Sequence, residues 1–261
     1  MGGNARGSFF MIVLCNDDGF NAVGIRAIYK KLAKFSEVVI VAPETEQSAM
    51  GHAITLTQPL KVRKVFENGA FIGYAVNGTP ADCIKIATAT LFNRPPEMVV
   101  SGVNQGGNLG TCALYSGTVS AATEATIEEI PAIAVSLNTF ENSDFKFAAE
   151  FGAKLAGMVL EKGLPKGVAL NVNVPAVPRS EIKGVAVTRQ GKSRVVETFD
   201  KRVDPRNNTY YWMAGEMRFD EVDNEADCFQ VSNNYISITP IHFDLTSYKT
   251  IDELKKWNIS L

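Results

Sequence analysis

From Phe9 to Cys15 the chain is apolar without interruption. A polar loop, "NDDGFNAVG", follows, then Ile25, Ile28, Leu32 and Phe35 at helical spacing, then the β-branched "EVVIVAP" of residues 37–43. Continuous apolar strands leave no face for water, so each needs helical cover on both sides. Strand, helix and strand in that order close as a βαβ unit with parallel strands. This commits the chain to an α/β architecture before anything else is considered. The 46% apolar content over 261 residues supplies a core of the size such a fold requires.

The rhythm is interrupted once and then resumes. Alternating stretches between His52 and Val76, around the turn signal Asn68 and Gly69, predict an antiparallel pair. "TPADCIKIATATLF" sets Thr79 as a cap and Pro80 at the first helical position, and "NRPPE" leads on to the strand "MVVSG". A helix is expected from about Ser116 to Glu129, then the strand "IPAIAVSL". A second helix, from about Asp144 to Glu161, is expected to bury Phe147, Phe151, Leu155 and Met158, with the strand "GVALNVNVP" after it. Beyond Pro178, Arg, Tyr and Trp interleave with Thr and Val without a helical period, which predicts long exposed β-arms turning near Pro205 to Asn208. "YISITPIHF" reads as a return to the core and "TIDELKKW" as a short terminal helix.

The simplest division takes residues 1–10 as an expression scar, 11–190 as a Rossmann-like core, 191–234 as an extended β-arm, and 235–261 as a return strand with a C-terminal helix. The arm is apolar at alternate positions and hard to bury in one subunit, so a homodimer or homotetramer is expected. With 26 basic and 28 acidic residues, the chain has no field that would draw a nucleic acid polymer or a membrane. It also has no apolar run of membrane length and no signal-peptide pattern, which predicts a cytoplasmic protein. Cys15, Cys83, Cys112 and Cys228 lack CxxC pairing and read as reduced core residues.

Loops at the carboxyl ends of parallel strands gather on one edge of the sheet, where ligands bind. Three polar loops fall there: Asn16 with Asp17 and Asp18, "PETEQSAMGH" with Ser48, and "SGVNQGGN" with Asn104 and Asn108. Together they offer carboxylates, a hydroxyl and an amide carbonyl, hard oxygen donors suited to Mg²⁺, Mn²⁺ or Ca²⁺. Two histidines in all, His52 and His242, argue against a His-rich zinc site. Consecutive strand residues face opposite ways, so both carboxylates reach one centre only if the chain leaves β geometry, which Gly19 allows. The same pair can equally be a loop cap and a helix cap. At the start of the next helix, Ser116, Gly117 and Thr118 offer backbone amides to a phosphate, or simply an N-cap after a tight Gly-rich turn. These loops taken singly leave both readings open.

Four ordered stretches, "NDDGFNAVGI", "VAPETEQSAMGHAITL", "VNGTPADC" and "SGVNQGGNLGTCALYSGTVSAATEA", resemble the signature blocks of the SurE family, stationary-phase survival proteins that act as metal-dependent 5'/3'-nucleotidases. "TRQGK", "DPRNNTYYW" and "YISITPIHFDLT" extend the resemblance over nearly the whole chain from Met11. It implies a three-layer α/β/α Rossmann-like core with a β-hairpin extension, and a C-terminal segment used in oligomer contacts. It implies one divalent metal ion per subunit, Mg²⁺ or Mn²⁺, held by Asp17, Asp18, Ser48 and Asn104, with the two aspartates also catalytic. Phosphate would lie at Asn108 and at Ser116, Gly117 and Thr118. The implied reaction is hydrolysis of nucleoside 5'- and 3'-monophosphates to nucleoside and phosphate, with short-chain polyphosphate as a further substrate class. Thr111 departs from the pattern, since many members carry an acidic residue there.

Either a metal-activated water or one aspartate could attack phosphorus. His52 is a candidate proton donor to the leaving group, and Tyr115, Tyr210, Tyr211 and Trp212 are candidates for stacking on a nucleobase. A phosphoacceptor receiver domain also carries an acidic pair after its first strand, but neither "NGTPADC" nor "MVVSGVN" supplies the third aspartate it needs. A haloacid-dehalogenase-like phosphatase needs two aspartates separated by one residue, where this chain has Gly19.

Overall fold

The structure, a computed structural model, describes residues 10–141, 144–218, 223–257 and 259. Apart from Phe10, the segment read as an expression scar lies outside the described residues. β1 (Met11–Cys15) is buried along its whole length, and α1 (Val23–Leu32) crosses from it to β2 (Glu37–Pro43). The pairing of β1 with β2 is parallel, from Met11 opposite Glu37 to Leu14 opposite Ile40, so the predicted βαβ unit is present. Within the region expected to form an antiparallel pair from His52 to Val76, residues 53–61 carry no strand; β3 (Val62–Glu67) and β4 (Ala70–Val76) make the antiparallel pair, and β4 lies parallel to β2. α2 (Pro80–Ile86) starts in a reciprocal cap: Asp82 N donates to Thr79 Oγ1 at 3.1 Å, and Thr79 N donates to Asp82 Oδ2 at 2.9 Å.

The chain then returns to the other side of β1. β5 (Met98–Gln105) pairs parallel with β1, and α3 (Gly117–Ile127), β6 (Ala132–Asn138), α4 (Lys146–Lys162) and β7 (Val168–Pro175) extend the sheet in that direction. β8 (Gly184–Val187) and β11 (Tyr235–His242) complete it, β11 running antiparallel to β7 and parallel to β8. The order is β3-β4-β2-β1-β5-β6-β7-β11-β8. α1 and α4 cover one face, over Ile12, Leu14, Ile40, Val100 and Ile133. α2 and α3 cover the other, over Val13, Val41, Val99, Ala132 and Ala134. The fold is the expected three-layer α/β/α, and its strand order reverses between β1 and β5, which places a ligand crevice at their carboxyl ends.

β9 (Arg194–Val203) and β10 (Thr209–Arg218) form a separate antiparallel hairpin that turns through Asp204–Asn208, close to the predicted position. α5 (Asp227–Ser232) precedes β11, and α6 (Tyr248–Lys255), the expected short helix, follows it. Among the described residues no helix is long and apolar enough to cross a membrane.

One expected core set is displaced. α4 presents Ala148, Ala149, Gly152, Ala153, Leu155, Ala156 and Val159 inward, leaving Phe147 and Phe151 half-buried and Met158 exposed. Small residues let the helix lie close to the sheet, so the large side chains flank the contact instead of filling it.

Candidate active site

β1 ends at Cys15, and the chain turns at once. Gly19 takes φ +99°, a left-handed conformation that suits glycine, and Asn16 Nδ2 donates to Gly19 O at 3.0 Å to close the turn. The turn sends Asp17 and Asp18 to different partners. Asp17 is buried against the start of α3, where Thr118 Oγ1 donates to its Oδ1. A Cβ on Gly117 would stand 2.8 Å from Asp17 Cβ, so the helix reaches the carboxylate because that position is glycine. Asp18 Oδ2 accepts the backbone N–H of Gln105 at 3.2 Å, which ties it to the end of β5.

Burial pushes the Asp17 carboxyl up, opposed by the Thr118 hydroxyl and by the backbone amides of Thr118 and Gly117. Asp18 is pushed up to about 6, first by burial and then by the Asp17 charge, with the Gln105 amide opposing and Glu46 adding to the rise. The charges acting on Asp18 are therefore both negative. A pocket that gathers negative charge without a compensating side chain is suited to a cation.

The second loop enters through Gln47, whose N–H donates to Asp17 O at 2.8 Å. Ser48 Oγ donates to Glu46 Oε1 at 2.7 Å and keeps its lone pairs for another partner. On the third loop, Asn104 Nδ2 donates to Gly106 O at 2.7 Å, leaving the amide oxygen as the side chain's uncommitted atom. Asp17, Ser48, Asn104, Asn108 and Ser116 all line one cavity of about 370 Å³. Thr118, Gly117 and Asp18 are joined to it through the contacts above. Five of the eight residues singled out in the sequence thus share the cavity, and Asp18, Gly117 and Thr118 stand outside its lining, linked to it by hydrogen bonds to Gln105 and Asp17. Two carboxylates with a hydroxyl and an amide oxygen make a donor set that fits a hard divalent ion.

The residues expected at the phosphate divide between two tasks. Ser116 Oγ caps α3 by accepting from Val119 N at 3.1 Å, and Gly117 and Thr118 turn toward Asp17. Asn108 is held by groups the sequence reading passed over. Its N–H donates to Asn173 Oδ1 at 2.7 Å, its carbonyl accepts from Asn171 Nδ2 at 2.8 Å, and its Nδ2 donates to Ser136 Oγ at 2.8 Å. The signal was legible: Asn171 and Asn173 sit two apart in the otherwise apolar "VALNVNVP", hence on one face of β7. Asp227 was also missed. Buried at the start of α5, it accepts from Gly110 N at 3.0 Å and Gly191 N at 2.9 Å, pinning the third loop to the base of the hairpin.

His52 lies apart from the cavity, with Nε2 2.7 Å from Glu124 Oε2 and Nδ1 3.3 Å from Thr123 Oγ1. Of the four aromatic candidates, Tyr115 lines the cavity, whereas Tyr210, Tyr211 and Trp212 stand on β10 and do not. Cys15, Cys83 and Cys228 are free and buried as expected; Cys112, also free, is half-buried and lines the cavity.

Fold and site together define a three-layer α/β protein with an acidic, oxygen-donor site at the switch point of a mainly parallel sheet. Within that class the chain belongs to the SurE family, whose model, described as "Survival protein SurE", matches residues 12–197. It is 52% identical to "5'-nucleotidase SurE" of Syntrophobacter fumaroxidans, over 95% of this chain and 99% of that one. It is likewise 52% identical to "5'-nucleotidase SurE" of Syntrophus aciditrophicus, over 93% and 92% of the two chains. The crystal structure of the SurE protein from Aquifex aeolicus superposes with a TM-score of 0.83 at 40% identity, covering 95% of this chain and all of that one.

Proposed function

We propose that the protein is a divalent-metal-dependent phosphomonoesterase that hydrolyses nucleoside 5'- and 3'-monophosphates, with short-chain polyphosphate as a further substrate class. The observation that carries the proposal is the meeting of Asp17, Ser48, Asn104 and Asn108 in one cavity, with Asp18 fixed beside it by Gln105. The names of the relatives, 5'-nucleotidases, support the nucleotide substrate.

Asp17, Asp18, Ser48 Oγ and Asn104 Oδ1 would hold one Mg²⁺ or Mn²⁺ per subunit. The ion supplies charge neutralisation at the phosphate and a more acidic water. Asn108 Nδ2 spends one proton on Ser136 and has a second to give to a phosphate oxygen. Asp17 is anchored by Thr118 and the first amides of α3, whereas Asp18 has one long hydrogen bond. Asp18 is therefore the carboxylate better suited to take a proton from attacking water. The β9–β10 hairpin exposes Phe199, Tyr211, Trp212 and Met213, and an isolated hairpin is marginal in water, which supports a homodimer or homotetramer.

The test is phosphate release from 5'- and 3'-monophosphates after chelation and after Mg²⁺ or Mn²⁺ is restored, for wild type beside Asp17→Asn and Asp18→Asn. Release that requires metal and collapses in folded variants is expected. Metal-independent release, or unimpaired variants, would overturn the proposal.

A further inference from the structure

Phe140 is 84% exposed, among the most exposed large apolar side chains of the described residues, and it also lines the cavity that holds Asp17 and Asn104. Such exposure costs hydrophobic burial, so an exposed ring at the rim of a polar cavity is in the position of a contact surface for something that enters it. Its placement is built, not incidental. Gln105 Nε2 donates to the carbonyls of Phe140 at 3.0 Å and Glu141 at 3.1 Å, while the same residue's backbone N–H donates to Asp18. One residue thus sets the Phe140 backbone relative to Asp18. Gly106, next in sequence and at φ +111°, leaves the ring its space, since a Cβ there would come within 2.8 Å of Phe140 Cε1.

A second aromatic residue lines the same cavity. Tyr115, 62% exposed, follows the 3₁₀ turn Gly110–Leu114, and its carbonyl accepts from Gly51 N at 2.9 Å, which fastens it to the loop bearing Ser48. Polar oxygens sit in the cavity and two exposed π surfaces at its wall, so the ligand that matches has a phosphate at one end and a flat aromatic group at the other. The cavity volume, about 370 Å³, is in the range that takes a small molecule of nucleoside size.

Resting on the nucleotidase reading above, we propose that Phe140 and Tyr115 form the nucleobase subsite, holding the base through its π face. A contact through the π face does not read the hydrogen-bonding edge of the base, so purines and pyrimidines are both accepted, purines more tightly because their stacking area is larger.

The test compares wild type, Phe140→Ala and Phe140→Tyr on adenosine 5'-monophosphate and on ribose 5-phosphate, which lacks the base. Phe140→Ala is expected to raise KM for the nucleotide about tenfold, the size of one base–aromatic stack. Its kcat, and both constants for ribose 5-phosphate, stay unchanged, and Phe140→Tyr restores the nucleotide KM. Equal losses on both substrates would show a structural role and overturn the proposal, as would no loss on either. Saturation-transfer NMR with adenosine 5'-monophosphate on the metal-free protein reads the subsite without turnover. Saturation of the base protons that is lost in Phe140→Ala supports it, and its absence in wild type overturns it. A wild type that saturates the base protons but hydrolyses no nucleotide would instead defeat the nucleotidase reading and leave the subsite standing.

Discussion

Thr118, in the first turn of α3, donates its hydroxyl proton to the carboxylate of Asp17 at the end of β1, joining residues 101 positions apart. The helix that carries Thr118 also turns the backbone amides of Gly117 and Thr118 to the same group. A buried carboxylate is tolerated here because three donors stabilise its charge and a helix N-terminus stands behind them. Replacing Thr118 by Val keeps the shape and removes the hydroxyl donor. The expected result is a folded protein destabilised by about 1–3 kcal/mol. Affinity for Mn²⁺, measured calorimetrically, is expected to fall roughly 10- to 100-fold, because the lost group orients a ligand. Unchanged Mn²⁺ affinity would show that the contact serves only the packing of α3.

The acid pair also sets a pH dependence. Asp18 sits at about 6 in the fold against 3.8 for the free side chain, and Asp17 is raised as well. Between those values the folded, metal-free protein binds more protons than the unfolded chain, so this pair's contribution to stability falls as pH rises through that window. A divalent ion competes with the same protons. The rise in melting temperature produced by Mn²⁺ should therefore be near zero around pH 4.5 and reach a plateau above about pH 7. Asp18→Asn should abolish most of it. A shift of equal size at both ends of the range would mean that the ion binds elsewhere.

The parts of this fold that could be read from sequence are those where one physical demand controls several residues together. A strand buried on both faces must be apolar throughout, which fixed β1 and β2, and Thr79 with Pro80 marks a helix start in almost any context. The three site loops were found for the same reason, since parallel strands deliver their carboxyl ends to one edge. What escaped depends on contacts across the chain. Phe140 looks like an ordinary loop phenylalanine until Gln105 is seen to fix its backbone, and Asp227 like a solvated acid until Gly110 and Gly191 are seen to donate to it. The inward face of α4 was misread because sequence reasoning follows large apolar residues, whereas close approach to a sheet selects alanine and glycine.

His52 is engaged at both ring nitrogens and lies outside the cavity, so it belongs to the scaffold. Its partner Glu124 is buried on α3 and also meets Lys85 Nζ at 2.6 Å, a link between α2, α3 and the loop that follows Ser48. His52→Asn is expected to lower stability by about 1–3 kcal/mol through the lost contacts to the buried Glu124 carboxylate and to Thr123. Its kcat and pH–rate profile should match wild type. Loss of the basic limb of that profile would restore His52 as the proton donor.

Asn108 provides the sharpest separation of fold from function, because its backbone and side chain are held by different residues. Asn173 accepts its N–H, whereas Ser136 accepts its side-chain amide. Ser136→Ala removes only the second contact, from a side-chain amide that lines the cavity and can turn to water, so the melting temperature should fall less than in Asn173→Leu, while product inhibition by phosphate weakens and kcat/KM falls about tenfold through loss of an oriented donor. Asn173→Leu leaves the buried Asn108 N–H without a partner, at a cost of about 1–3 kcal/mol, and should reduce both stability and kcat/KM. If Ser136→Ala keeps full kcat/KM and full phosphate inhibition, the Asn108 side chain does not touch phosphate, and stabilisation of the transferring group must come from the remaining donors of the cavity.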